Sequence, residues 1–275
     1  MSKVWFITGA SRGFGRAWTI AALQRGDRVA ATARDVSTLD DVVAEYGDAV
    51  LALELDVTDR AAGIAAVQRA HEYFERLDVV VNNAGYGHFG CIEELTEADI
   101  RAQLDTNLFG ALWITQAAIP IMRTQGSGHI IQISSVGGVA AFPMLGAYHA
   151  SKWALEGMSE ALAQEVAEFG IAVTIIEPAG FATDWGGSSA IRSDSLPHYQ
   201  AARDARAAGA ARATPPAEAT TAALFAVVDA EHPPLRLLLS THALTLATKA
   251  YGDRLAVWEA WADVTRSADG VEPTA

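Results

Sequence analysis

Seven times along the chain a short, nearly unbroken apolar run hands over to a helical rhythm. The runs fall at residues 3–8 (KVWFIT), 28–32, 50–55, 78–81, 129–133, 172–176 and 235–240. Between and after them, apolar residues recur with helical spacing around Trp18, Ile20, Ala21 and Leu23, then at 36–46, 60–74, from Thr96, and at 108–122, 146–169, 214–230 and 244–265. A strand with one wet face alternates polar and apolar residues, whereas a strand that is apolar throughout is covered on both faces. Regular alternation of such strands with helices predicts an α/β fold: a doubly wound parallel sheet of about seven strands with helices on both faces. No repeat, low-complexity tract or linker divides the chain, so residues 1–275 are expected to form a single domain.

Two segments depart from the rhythm. Residues 186–213 mix Gly, Ser, Ala, Arg and Asp with few large apolar side chains, directly after a strand end. Long irregular segments in compact domains often serve as lids, and a substrate lid is expected near residues 181–213. Residues 241–275 form a helical extension in which Trp258 and Trp261, three apart, predict one buried face, packed either on its own sheet edge or on a partner.

The formal net charge of −13 argues against nucleic acid and anionic membranes as partners. A single cysteine, Cys91, excludes an internal disulfide and is expected to pack rather than react. The first apolar run begins at Lys3, with no leader pattern before it, and a cytoplasmic location is expected. The longest nearly apolar run, 108–122, is broken by Thr115 and Gln116 and falls short of the roughly 20 residues of a membrane span. It reads as a buried or interface helix, and no metal centre is expected.

In TGASRGFG, Gly9, Gly13 and Gly15 lie between the first run and the first helix. A glycine turn there lets backbone approach a pyrophosphate, and the helix N-terminus offers free N–H groups and a partial positive charge. Farther on, Tyr148 and Lys152 sit four apart in a predicted helix and so share a face. A tyrosine titrates near 10, and an adjacent ammonium pulls that value down, giving a tuned general acid/base.

The set Thr8-Gly9-x-x-x-Gly13-x-Gly15, Asn82-Asn83-Ala84-Gly85, Ser135 and Tyr148-x-x-x-Lys152 closely resembles the classical short-chain dehydrogenase/reductase family, in consistent order over residues 3–240. The resemblance implies a Rossmann-type fold and hydride transfer between a nicotinamide cofactor and a carbonyl or alcohol. It implies that Tyr148 is the proton donor, that Lys152 lowers its pKa and holds the nicotinamide ribose, and that Ser135 bonds the reacting oxygen. Asn107 matches the family's fourth member, which holds a water linking the lysine to solvent; on its residues alone, it caps or kinks its helix. Ser134 is the alternative to Ser135, which is preferred for its spacing to Tyr148. His149 adjoins the tyrosine but points elsewhere on the helix and is read as structural.

The same resemblance implies a cofactor site built from Gly9, Ser11, Arg12, Gly13, Phe14 and Gly15, with Asp56 and Val57 at the adenine. Asn83, Ala84 and Gly85 would line the cleft, and Tyr148, Lys152, Pro178, Gly180 and Thr183 would flank the nicotinamide end. The family's Pro-Gly is here Pro178-Ala179-Gly180. Asp56 equally suits a helix cap. An NAD site places a carboxylate at the end of the second strand, whereas a 2′-phosphate needs a cation. Here Ala33 is followed by Arg34, with Arg12 within reach of the same phosphate, so NADP(H) is expected. Asp35 either faces that phosphate or caps the helix after it.

Loops 86–89, 136–145 and 181–189 are expected to wall the substrate pocket. Phe89, Phe142, Met144, Leu145 and Trp185 make it suited to a ketone, aldehyde or secondary alcohol on a hydrophobic small molecule. The chain beyond residue 240 is longer than in compact 3-oxoacyl-thioester (acyl-carrier-protein) reductases, which ranks that alternative lower; it is more similar to the subgroup with steroid and retinol dehydrogenases. An alternative of another class is a non-catalytic NADPH-sensing regulatory protein, against which the complete Asn107, Ser135, Tyr148 and Lys152 set counts. Family members commonly associate through the helices at 108–122 and 146–169, implying a homodimer or homotetramer.

Overall fold

The computed structural model describes residues 2–209 and 214–270. Seven strands form one sheet: β1 (Val4–Ile7), β2 (Arg28–Ala33), β3 (Val50–Glu54), β4 (Val79–Asn82), β6 (Gly128–Ile133), β7 (Ile171–Pro178) and β9 (Arg236–Leu239). Their order is β3-β2-β1-β4-β6-β7-β9, and every neighbouring pair is parallel. β5 (His88–Phe89) and β8 (Ile191–Arg192) make a separate two-residue parallel pairing outside the sheet.

The unbroken apolar runs are explained by burial on both faces. Trp5 and Ile7 of β1 enter one core with Trp18 and Ala22 of α1 (Gly13–Gln24), Val42 of α2 (Asp40–Tyr46) and Leu224 and Val228 of α8 (Thr221–Val228). Val4 and Phe6 point the other way. They join Val67 and Phe74 of α3 (Arg60–Phe74), Ile114 and Met122 of α5 (Gly110–Gln125) and Leu162 and Val166 of α6 (Gly146–Val166). Strand order reverses between β1 and β4, and in such sheets the crevice beyond the strand ends at that point is where ligands bind.

α4 (Glu97–Leu104) starts at Thr96, whose hydroxyl accepts the Asp99 N–H while the Asp99 carboxylate accepts the Thr96 N–H. It does not stop before α5. A π-helical turn over Asp105–Phe109 joins the two, so the helix expected at 108–122 is the second half of a longer rod.

The segment expected to be an irregular lid contains more structure than its composition suggests. β8 is followed by a turn at Pro197–Tyr199 and by α7 (Gln200–Gly209). Glu94 holds this segment: its buried carboxylate accepts from the Arg203 guanidinium and from the Leu196 N–H at 2.8 Å. Residues 210–213 of the expected lid lie outside the described residues. The extension is α9 (Thr241–Ala260) followed by α10 (Ala262–Ser267), with residues 271–275 outside the described set.

Of the two alternatives expected for Trp258 and Trp261, packing on their own sheet edge is excluded, since they are 63% and 60% exposed in the single chain. Small residues make the contact instead: Ala243 and Ala247 pack on Val136 and Val139. No helix among the described residues is long and apolar enough to cross a membrane.

Candidate active site

At the C-terminal end of β1, Thr8 ties two segments together. Its buried hydroxyl accepts the N–H groups of Asn83 and Ala84, both at 3.0 Å. Asn83 returns the contact by donating Nδ2 to the carbonyls of Thr8 (2.8 Å) and Gly9 (3.1 Å). The turn that follows has no room for a side chain at Gly15. A Cβ on Gly15 would lie 2.3 Å from the Gly9 carbonyl oxygen, and Gly9 and Gly13 adopt φ of +67° and +57°. α1 begins at Gly13 with no side chain capping it, leaving its first N–H groups open toward the cleft. A cradle this close and this rich in donors fits a pyrophosphate.

Three of the four expected residues, Ser135, Tyr148 and Lys152, line the next stretch of the same cleft, a cavity of about 1210 Å³ that also takes in Gly9 and Gly13. Tyr148 is 6% exposed, and burial pushes its phenol up to about 12 against the opposing effect of the Ser135 hydroxyl. Lys152 is held down to about 8 by burial, partly offset by the negative charge of Glu156. Its ammonium donates to the Ile133 carbonyl at 2.6 Å and stands 5.9 Å from the Tyr148 ring centroid. Burial is the larger influence on the phenol here, and the Ser135 hydroxyl is the group that opposes it.

Ser135 Oγ accepts the Gly137 N–H at 3.0 Å and faces the Pro178 carbonyl, whereas the Ser134 oxygen is buried toward Glu156. Asn107 sits in the π turn, donating Nδ2 to the Tyr86 carbonyl (3.0 Å) and Ser151 Oγ (3.1 Å) and accepting the Tyr86 N–H at 3.1 Å. A Cβ on Gly85 would meet Asn107 Oδ1 at 3.0 Å and Lys152 Nζ at 3.7 Å, so the asparagine, itself buried behind the cleft wall, and the lysine approach the same glycine. His149 donates Nδ1–H to the Gly137 carbonyl and accepts the Phe142 N–H on Nε2, both at 2.9 Å, which fixes it as neutral and pins loop 137–142 to α6.

At the other end, Ala33, Arg34, Asp56, Val57 and Thr58 line the cleft. Asp35 turns back to accept the N–H (3.1 Å) and hydroxyl (2.6 Å) of Ser37, taking the capping role of the two expected for it. Asp56 closes its own turn onto Thr58, while Asp59, not Asp56, caps α3. Arg12 does not point at the end of β2. It pairs with Asp184 at 2.8 Å, leaving Arg34 as the exposed cation there. Thr183 lies over Gly13, and Gly180 takes φ of +70°, a conformation glycine supplies freely despite the inserted Ala179. Ser11, Phe14, Ala84 and Pro178 also line the cleft.

A family model described as short chain dehydrogenase matches residues 3–192. The chain belongs to the short-chain dehydrogenase family. Oxidoreductase BOA17 of Botryotinia fuckeliana is 42% identical over 271 residues, covering 96% of this chain and 98% of that one. A short-chain dehydrogenase structure from Streptomyces avermitilis superposes with a TM-score of 0.93 at 39% identity, covering 98% of this chain and 99% of that one. A Burkholderia phymatum family member in complex with NAD superposes at 0.77 with 27% identity, covering 90% and 91%.

In this short-chain dehydrogenase, the cleft beyond the glycine turn is walled by Tyr86, Phe142, Pro143, Leu145 and Trp185. Phe89 and Met144, expected there too, do not reach it. Phe89 is buried behind Trp185 (centroids 5.2 Å apart), and Met144 is held at φ of +70°. Several residues of the site escape sequence reasoning. The motif contains Thr8 but does not show it as the clamp between two motifs. Gln103 is fully buried and bridges the His88 N–H and Tyr86 carbonyl. Glu156 and Glu177 share Arg236 behind Lys152. Arg206 of α7 lines the cleft. The available signal for Glu156 is its place four residues after Lys152, on the same helix face; nothing local marks Arg206.

Proposed function

We propose that this chain is an NADP(H)-dependent oxidoreductase that interconverts a ketone or aldehyde and an alcohol on a hydrophobic small molecule. The observation that carries the reading is the convergence of Ser135, Tyr148 and Lys152 on one cleft whose other end is the glycine cradle, with Asn107 buried behind the cleft wall at Tyr86. A bound nicotinamide would supply or accept the hydride. Gly9, Ser11, Gly13, Phe14 and Gly15 would hold its pyrophosphate, with Asp56 and Val57 at the adenine and Asn83, Ala84 and Gly85 along the cleft. Pro178, Gly180 and Thr183 would flank its far end.

As negative charge grows on the substrate oxygen, it needs a donor already in place. Tyr148, protonated at neutral pH, gives its hydroxyl proton to that oxygen, and Ser135 donates a hydrogen bond to it. Lys152 supports the phenol's proton exchange and holds the ribose. Asn107 fixes Tyr86 and Ser151 around the π turn, whose carbonyls, off the regular helical ladder, suit the water that would connect Lys152 to solvent. Arg34 would take the 2′-phosphate. Its exposure, the inward turn of Asp35 toward Ser37 and the absence of a carboxylate at Ala33 support NADP(H) over NAD(H).

A homodimer or homotetramer accords with the partly exposed aromatics Phe109, at the start of α5, and Trp153 on α6; light scattering measures it. A cytoplasmic location accords with a single cysteine and no disulfide within the chain. The deciding experiment is Tyr148→Phe, assayed with NADPH on a ketone and aldehyde panel. It should lose turnover while NADPH binding, followed by fluorescence, persists; retained turnover overturns the assignment.

A further inference from the structure

The stretch of the cleft walled by Tyr86, Phe142, Pro143, Leu145 and Trp185 also carries a guanidinium. Arg206 lines the same cavity as Tyr148, Phe142 and Trp185, projecting from α7. Its Cζ lies 4.8 Å from the Phe89 ring centroid, and Arg192 approaches the same ring at 5.1 Å. Two guanidiniums on one ring repel each other, and holding both there without a counter-charge is unfavourable. Burial and the neighbouring Arg192 charge accordingly pull Arg206 below the ordinary arginine range.

The acids nearby are already committed. Arg203, one turn earlier on α7, is neutralised by the buried Glu94. Asp184 is held by Arg12 and Ser188, and Asp56 by Thr58. Among the described residues Arg206 has neither an ion pair nor a side-chain hydrogen bond. His149, its neighbour, is neutral through its bonds to Gly137 and Phe142 and makes no demand for an anion. Lys152 is buried and donates to Ile133. A guanidinium so placed suits a planar or tetrahedral oxyanion approaching from the cleft.

We propose that Arg206 receives an acidic head group, carboxylate or phosphate, carried on the apolar body of the substrate. The proposal rests on the reductase reading of the cleft and narrows its substrate class to amphipathic oxo or hydroxy acids. Arg192, bonded to the Gly186 carbonyl at 2.9 Å, stiffens the loop behind it.

The test is calorimetric titration of the full-length protein, with NADPH present, using dodecanoate, dodecyl phosphate and methyl dodecanoate. At least one anion should bind about tenfold tighter than the ester, as expected for a charge-assisted bond. Arg206→Gln should erase that difference and Arg206→Lys should keep part of it. The tighter anion names the head group. Equal binding of ester and anions, or a parallel loss of all three in Arg206→Gln, overturns the proposal. Turnover separates it from the reading beneath it. If an oxododecanoate and its methyl ester are reduced equally well, the anion site fails and the reductase stands. Arg206-dependent dodecanoate binding without reduction of any carbonyl means the reverse: the anion site stands and the reductase fails.

Discussion

Arg12 and Asp184, 172 positions apart in the chain, meet at 2.8 Å and join the glycine turn to the loop after β7. Both side chains are about half exposed, so the pair contributes at most about 1 kcal/mol to stability. Its larger effect is on direction, because it draws the Arg12 guanidinium away from the end of β2. Asp184→Asn should leave the urea midpoint nearly unchanged and release Arg12 for a phosphate. The NADPH dissociation constant should fall several-fold relative to that of NADH; an unchanged ratio would show that Arg12 never reaches the nucleotide.

Arg34 carries the cofactor preference in this arrangement. Removing a guanidinium that meets a phosphate loses a charge-assisted bond of about 1.5–3 kcal/mol. Arg34→Ala should therefore lower kcat/KM for NADPH by tenfold or more and leave NADH almost unaffected. A wild-type preference for NADH would sink the assignment before any variant is made.

The Thr8 clamp makes a stability prediction. Thr8→Val keeps the shape and removes the acceptor shared by the Asn83 and Ala84 N–H groups. Loss should be about 1–3 kcal/mol by urea denaturation, with Thr8→Ser recovering most of it.

Activity should follow Lys152 rather than Tyr148 across the accessible pH range. With the phenol up at about 12, the proton donor stays loaded, while Lys152 loses its charge through about 8. The reduction rate should be flat below that value and decline above it. Lys152→Arg, whatever its maximal rate, should carry the declining limb to higher pH; an unmoved limb would point to another group.

Glu177 sets a different pH dependence. Burial first and the Glu156 charge second push its carboxyl up to about 7, against the pull of Arg236. A folded-state value above the unfolded one near 4.3 means that its contribution is fully present below the unfolded pKa and lost as pH rises through the folded one. The wild-type Tm should therefore fall between pH 5 and pH 8 more steeply than that of Glu177→Gln. Equal slopes would rule out a raised carboxyl.

Strands were legible in the sequence because Val4, Trp5, Phe6 and Ile7 are all fully buried, two on each face, so no polar residue interrupts them. The glycine turn was legible because backbone contact forbids a Cβ at Gly15, which leaves a residue type as its trace. α7 was not. Its sequence, QAARDARAAG, has no large apolar side chain, and what anchors it is Glu94, far earlier in the chain. Trp258 of α9 and Trp261, between α9 and α10, show the complementary limit: spacing reports which residues share a face, not what covers it. Direction was equally hidden at Arg12, whose partner lies in a distant loop.

The π turn at Asp105–Phe109 has a consequence for how this chain tolerates change. Each residue advances an α-helix by about 100°, and a π turn accommodates one extra residue. The rod from Glu97 to Gln125 thus behaves as two gears keyed at different angles on one shaft: Gln103 engages the loop at Tyr86 and His88, and Ile114 and Met122 engage the sheet. Deleting a single residue here would mesh the gears into one ordinary helix. The chain would then have to choose between seating α5 on the sheet and keeping Asn107 against Ser151. Substitution along this rod is a matter of side chains, but its length is fixed to the residue.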